Sequence, residues 1–282
     1  MQRELHCRVS ETLWSALDER ARSTGESVSH IVERALADEL EVDHHSIFQV
    51  STSGAVVKGV YTGCVSVGDL RRHGDFGVGT FDGLDGEMIM LDGRCFQARA
   101  DGTVSEAPDD ALTPFAVVTG FHADQQFDLP PVGGWADLCE AIDGLRRSEN
   151  VFVGIRTEGR VERITVRAAC RSVAGVDLVT ATSTQAEFTL EAVAGTLVGF
   201  WTPSYARAIT VAGYHLHFIS EDRRFGGHVL DIAARGLVLS VHQETDVHLA
   251  IPETAEFLAA DLRGDPGPAL DVAEHGRPAR QR

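Results

Sequence analysis

The sequence predicts a sheet-rich α/β domain of mixed, largely antiparallel strands, preceded by a small strand–helix–helix module. Three observations predict it. The first 41 residues carry helical apolar spacing with cap residues of their own. From Ile47 onward the chain breaks into many short apolar runs of strand character. Those runs meet through turns such as Asp92-Gly93 and Asp101-Gly102, which favours hairpins.

The module comes first. Arg3 to Val9 alternates, with Leu5, Cys7 and Val9 on one face and Glu4, His6 and Arg8 on the other. Ser10 caps a helix carrying Leu13, Trp14 and Leu17 at helical spacing. Gly25 ends it, and Ser27 or Ser29 starts a second helix with Ile31, Val32, Ala35, Leu36 and Leu40. So short a unit cannot cover its own apolar surface, so dimerisation is expected. The pattern over residues 3–40 resembles the ribbon-helix-helix family of dimeric DNA-binding modules. That resemblance implies a ribbon presenting Glu4, His6 and Arg8 to the major groove, with Ser27 or Ser29 meeting phosphate. Charge argues the other way. Residues 1–43 hold five basic and ten acidic side chains, net −5, whereas DNA binding leans on phosphate neutralisation. Residues 1–41 are expected to dimerise, with DNA contact as the alternative role.

After the linker Asp43-His44-His45-Ser46, strands are predicted over Ile47–Val50, Glu87–Leu91, Cys95–Arg99, Phe115–Phe121, Val151–Arg156, Val161–Ala169, Phe188–Phe200, Ala208–Ile219, Leu237–His242 and Val247–Ile251. Trp135 to Arg147 reads as a helix with Leu138, Ile142 and Leu145 on one side, and Thr254 to Leu262 as another. Arg263 to Arg282, with its prolines and glycines, reads as a loose tail. The domain divides into a first half, 42–150, and a second half, 151–282, that carries the candidate metal site.

Composition bounds the function. Formal net charge is −17 and the pI about 5.0, which argues against a nonspecific binder of nucleic acid or membrane surfaces. No apolar run approaches the roughly 20 residues that span a bilayer. Met1 to Arg8 lacks the apolar stretch of a secretory signal. The five cysteines are scattered and form no CxxC pair, as expected of reduced thiols. A cytoplasmic protein without membrane contact is expected.

Chemistry concentrates in Gly213-Tyr214-His215-Leu216-His217-Phe218-Ile219. On a strand His215 and His217 share a face, while Leu216 points into a core. His228, in Phe225-Gly226-Gly227-His228-Val229, can return to the same spot. Three imidazoles on a rigid scaffold suit a divalent metal, most naturally zinc, with coordination left open for substrate. Two partly exposed polar residues facing solvent are the alternative for an isolated HxH. His44, His45, His242 and His248 lack such grouping and read as structural or solvated.

Gly74 to Glu87 holds five glycines in fourteen residues, without the spacing of a Walker, dinucleotide or EF-hand motif. It reads as a hairpin-rich loop that could present Glu87 to a site. Arg167 alternates with apolar neighbours in Ile164-Thr165-Val166-Arg167-Ala168, as an anion-holding or a surface residue.

His73-Gly74-Asp75-Phe76-Gly77-Val78-Gly79-Thr80-Phe81, Leu84-Asp85-Gly86-Glu87, Thr165-Val166-Arg167, Gly199-Phe200-Trp201-Thr202-Pro203 and Gly213 to Phe218 resemble, in order, the alpha-acetolactate decarboxylase family. Gly226-Gly227-His228 and Val272-Ala273-Glu274 continue the likeness, which covers roughly residues 46–276. The resemblance implies an α/β, sheet-rich dimer that binds Zn2+ and converts 2-acetolactate to acetoin and carbon dioxide. It implies His215, His217 and His228 as metal ligands and Glu274 as a carboxylate at the metal. Glu87 and Arg167 become polar residues of the pocket, with Thr80 hydrogen-bonding inside it. In the reaction so implied, the metal stabilises an enediolate, Arg167 orients the substrate's polar end and Glu87 protonates the carbon. The family does not usually carry a ribbon-helix-helix module.

Two rival readings stand beside this one. His215-x-His217-xxx-Glu221 mimics part of the signature of cupin-type metalloenzymes, which would make Glu221 a ligand. A ligand-sensing DNA-binding regulator built on a decarboxylase fold is the non-enzymatic rival.

Overall fold

Helix α1 (Glu11–Thr24) begins where Ser10 accepts a hydrogen bond from the Leu13 N–H, and ends at Gly25 in the left-handed region. Helix α2 (Val28–Leu40) begins where the Ser27 hydroxyl accepts from the His30 N–H at 3.1 Å. Of the two expected caps, Ser27 is the one used. The computed structural model describes residues 6–40 and 45–275, and the chain divides into two compact units, Met1–His45 and Ser46–Arg282.

The first unit departs from its expected pattern at the ribbon. Residues 6–10 have no regular secondary structure, and residues 3–5 of the expected strand lie outside the described residues. No ribbon-helix-helix element is therefore present among the described residues, only its helix pair. The physical reason is that a lone strand needs a second edge, which one chain does not offer here. Helix α1 buries none of its residues, and Val9, Leu13, Trp14, Leu36 and Leu40 stand exposed.

The second unit runs in chain order through β1 (Ser46–Val50), α3 (Ser53–Val57), β2 (Val65–Ser66), α4 (Val67–Leu70), β3 (Phe76–Thr80), β4 (Glu87–Leu91), β5 (Arg94–Ala98), β6 (Val104–Glu106), β7 (Leu112–Thr113), β8 (Ala116–Thr119), β9 (Gln125–Asp128) and α5 (Trp135–Asp143). It continues with β10 (Phe152–Ala168), α6 (Leu178–Thr182), β11 (Ala186–Thr202), β12 (Gly213–Ser220), β13 (Gly226–Ala234), β14 (Val238–Glu244), β15 (Asp246–Ala250), α7 (Ala255–Ala259) and α8 (Gly267–His275).

A seven-stranded sheet has the order β15-β1-β8-β3-β4-β5-β6, and a six-stranded sheet the order β11-β12-β13-β10-β14-β9, with β11 also pairing β10. All pairings are antiparallel except β1 with β15. The sheets face each other across a core in which Ile47, Val78 and Ile89 of one meet Val198, Phe200 and Ile219 of the other. On the far side of the six-stranded sheet, Leu138 and Ile142 of α5 pack with Ile155, Ile164, Leu216 and Phe218. Each face is thus apolar because each is covered.

Several elements differ from expectation. The two strands expected over 151–169 are one strand, β10, paired along its length with β11. The glycine-rich stretch expected as a loop contains β3. A Cβ on Gly79 would lie 2.4 Å from the Phe115 carbonyl oxygen, so glycine here permits close strand approach. His228 lies on β13, a strand absent from the expected set. Of the segment expected as a loose tail, Gly267–His275 forms α8, just before which the Asp265 side chain accepts from the Gly267 N–H at 2.9 Å, and residues 276–282 lie outside the described residues. Pro268 falls in the first turn of α8, where a missing N–H costs no hydrogen bond.

Candidate metal centre

Strand β12 turns His215 and His217 toward the seven-stranded sheet and leaves Leu216 and Phe218 in the core beneath α5. In register, His217 lies opposite His228 on β13, and His228 lies opposite Arg167 on β10. Three polar side chains therefore form one row across three neighbouring strands. The three imidazole centroids stand 4.9, 5.3 and 5.4 Å apart, and each ring offers a nitrogen within 4.8 Å of the others.

The facing sheet supplies the rest. Nδ1 of His217 lies 2.8 Å from the Met88 carbonyl oxygen on β4, and its Nε2 lies 3.2 Å from Nε2 of His215. Burial pushes His217 well below the ordinary histidine range, with His215 adding to the shift. Burial does the same to His228, helped by the Arg167 cation. Both rings are therefore neutral, and a carbonyl acceptor at Nδ1 of His217 assigns the proton to that nitrogen. Its Nε2 then turns a bare lone pair toward the other imidazoles. A divalent cation is the natural fourth party to such a set, and the residues fit one.

Glu274 arrives on α8. Its Oε2 lies 3.3 Å from Nε2 of His228, 3.9 Å from Nε2 of His215 and 3.4 Å from Nη2 of Arg167. Glu87, the first residue of β4, stands opposite Thr80 of β3. Its Oε1 accepts from the Ala169 N–H at 3.1 Å, while Oε2 lies 3.7 Å from Nε2 of His217. Burial pushes the Glu87 carboxyl up to about 7 against the pull of Arg167, with Glu274 raising it further. The Thr80 hydroxyl donates to the Gly86 carbonyl oxygen at 2.8 Å.

Thr80, Glu87, Arg167, His215, His228 and Glu274 line one pocket, and His217 is fully buried behind it. Val56, Leu84, Phe115, Leu178, Val211 and Leu270 form its apolar wall. Sequence reasoning missed that wall, much of which comes from the short helices α3 and α6 and from α8. It also missed Gln185, whose side-chain oxygen accepts from Nη1 of Arg167 at 2.8 Å. No spacing signal marks either.

Other expected residues fall as follows. Glu221 sits exposed in the turn after β12, away from the pocket, so it does not complete a cupin-like ligand set. His242, expected as structural or solvated, is buried on β14 with Nδ1 3.6 Å from Asp124 and Nε2 3.8 Å from Glu244. Burial pushes Glu244 up to about 7, with the imidazole opposing the shift. All five cysteines are free.

Comparison with known proteins places this arrangement in context. Residues 47–264 match the family model described as alpha-acetolactate decarboxylase, a span that includes Glu87, Arg167 and the three histidines and stops short of Glu274. The chain is 42% identical to the alpha-acetolactate decarboxylase of Methylococcus capsulatus over 234 residues, covering 83% of this chain and 90% of that one. It is 41% identical to that of Methanosarcina mazei, over 77% of this chain and 75% of the relative. The crystal structure of alpha-acetolactate decarboxylase from Bacillus subtilis superposes with a TM-score of 0.79 at 35% identity, covering 82% of this chain and 99% of that one.

Proposed function

The chain belongs to the alpha-acetolactate decarboxylase family and is a carboxy-lyase for 2-acetolactate; we propose that it uses Zn2+ and releases acetoin and carbon dioxide. The observation that carries the metal reading is the convergence of His215, His217 and His228 nitrogens within 4.8 Å at a pocket that also holds Glu87, Arg167 and Glu274. These three imidazoles would hold the ion, with Glu274 as the carboxylate beside it. Zn2+ would supply Lewis acidity against the negative charge that gathers on the substrate's ketone oxygen as carbon dioxide departs.

The remaining steps fall to the chain's own side chains. Arg167 orients the substrate carboxylate, since a guanidinium recognises a carboxylate with paired N–H donors. Glu87 returns a proton to the carbon that lost carbon dioxide. Burial favours the protonated form of this carboxyl, and the Ala169 N–H on Oε1 leaves Oε2, on the histidine side, to carry the proton. Thr80, its own proton donated to Gly86, keeps a lone pair for the substrate hydroxyl. The apolar wall receives the methyl groups and keeps bulk water from the carbanionic carbon.

For residues 1–41 we assign self-association in a homodimer ahead of DNA binding, because apolar side chains of both helices stand exposed and the segment is net acidic. The test of the main reading is direct. Chelator-stripped protein should release no acetoin from 2-acetolactate and should regain turnover on adding Zn2+. Full activity in protein shown to be metal-free would refute it.

A further inference from the structure

Arg167 is held at only part of its hydrogen-bonding surface. Its side chain is 5% exposed on β10. Nη1 donates to the side-chain oxygen of Gln185 at 2.8 Å, and Nη2 faces Oε2 of Glu274 at the longer distance of 3.4 Å. Nε is buried with no hydrogen-bond partner. A buried guanidinium N–H left unspent is costly unless another acceptor arrives. Nε and Nη2 together form the side-on fork of a guanidinium, the edge that takes both oxygens of a carboxylate. Arg167 lines the pocket, and Gln185 holds its guanidinium at the Nη1 corner.

Gln185 is itself anchored. It follows α6, where its N–H donates to the Thr182 carbonyl oxygen at 3.1 Å, and Thr182 lines the pocket. Its Nε2 reaches Glu187 on β11, the residue opposite Arg167 in register, at 3.4 Å. The chemistry of the acceptor matters as much as its place. A neutral amide oxygen fixes the guanidinium without neutralising it, so the positive charge stays available to an anion. A carboxylate in the same place would satisfy the hydrogen bond and compete for that charge.

We propose that Gln185 is a positioning residue for the decarboxylation, clamping Nη1 of Arg167 so that the guanidinium is held in place to meet the carboxylate of a 2-hydroxy-3-keto acid. The inference rests on the reading of Arg167 as the substrate's carboxylate partner. It adds a residue outside the set expected at the pocket and assigns it both a geometric and an electrostatic task.

Two variants separate those tasks in Zn2+-loaded full-length protein acting on 2-acetolactate. Gln185→Met, similar in volume without the acceptor, should lower kcat/KM about tenfold, with metal content and melting temperature unchanged. Gln185→Glu, which keeps the acceptor and adds charge, should hold kcat within about twofold while raising KM several-fold. A purely structural role would lower melting temperature or metal content and would not split KM from kcat. Wild-type kcat and KM in Gln185→Met overturn the proposal, as does an activity loss that only tracks lost metal. Should Gln185→Met fail to fold, the KM-against-kcat split in Gln185→Glu decides alone. Wild-type protein that leaves 2-acetolactate intact would sink the reading beneath it, whereas active wild type with unaltered variants sinks this inference only.

Discussion

His217 donates its Nδ1 proton to the backbone oxygen of Met88, 2.8 Å away, and so the tautomer of a strand in one sheet is set by the backbone of the other. Burial keeps this ring neutral, which leaves Nε2 as a lone-pair donor facing His215 and His228. Replacing His217 by Ala removes one of three convergent nitrogens and leaves a fully buried hole. The expected result is loss of both bound Zn2+ and acetoin production, measured by elemental analysis and product assay on the same sample. Retained stoichiometric zinc in that variant would remove His217 from the ligand set.

Glu87→Gln is expected to behave in the opposite way toward the metal. The amide cannot return a proton to carbon, so turnover should fall by about 10²- to 10⁴-fold, the usual worth of a general acid. The imidazoles are untouched, so zinc content should stay at the wild-type level. Equal loss of zinc and turnover would recast Glu87 as a ligand.

The same substitution has a pH signature in metal-stripped protein. The Glu87 carboxyl titrates at about 7 when folded and at about 4.5 when unfolded. Below 4.5 both states hold the proton and the shift has no effect on folding. As pH rises through this window the unfolded chain releases its proton while the folded chain keeps it, so stability falls until about pH 7. The loss is on the order of 3 kcal/mol. Glu87→Gln lacks this loss, so its melting temperature should gain on wild type between pH 4.5 and 7 and run parallel above. A constant difference across that range would contradict the buried-carboxyl account.

Residues 46–282 expressed alone should fold and decarboxylate 2-acetolactate at a rate close to that of the whole chain, because the main core clusters and all pocket residues lie there. The first unit is expected to contribute association state instead, read by light scattering of the two forms. A gel shift of the whole protein on its own promoter, with and without 2-acetolactate, tests the regulator alternative. Specific retardation relieved by the substrate would favour it.

Local periodicity made most of the sheet legible, and its failures have physical causes. Glu87–Leu91 was readable end to end because its short apolar run, Met88 to Leu91, ends at the Asp92-Gly93 turn. Phe76–Thr80 was not, because the glycines that let β3 approach β8 also look like loop chemistry. The start of β13 was hidden in the same way behind Gly226 and Gly227. Alternation alone placed His215 and His217 on one face. Bringing Glu274 to them depends on α8, where Pro268 marks the first turn of a helix as readily as a tail. The apolar wall and Gln185 were illegible because nothing in their spacing records a contact made across the fold.

The imidazoles and Arg167 hang from the six-stranded sheet, whereas Glu87 and Thr80 hang from the seven-stranded one. The gap between the layers is thus a caliper on the reacting carbon, set by the girth of Val78, Ile89, Val198 and Ile219. Trimming or swelling those four aliphatic spacers would retune the proton's reach without touching a single polar atom. Evolution and engineers alike therefore have a mechanical dial for this chemistry, remote from the residues that perform it.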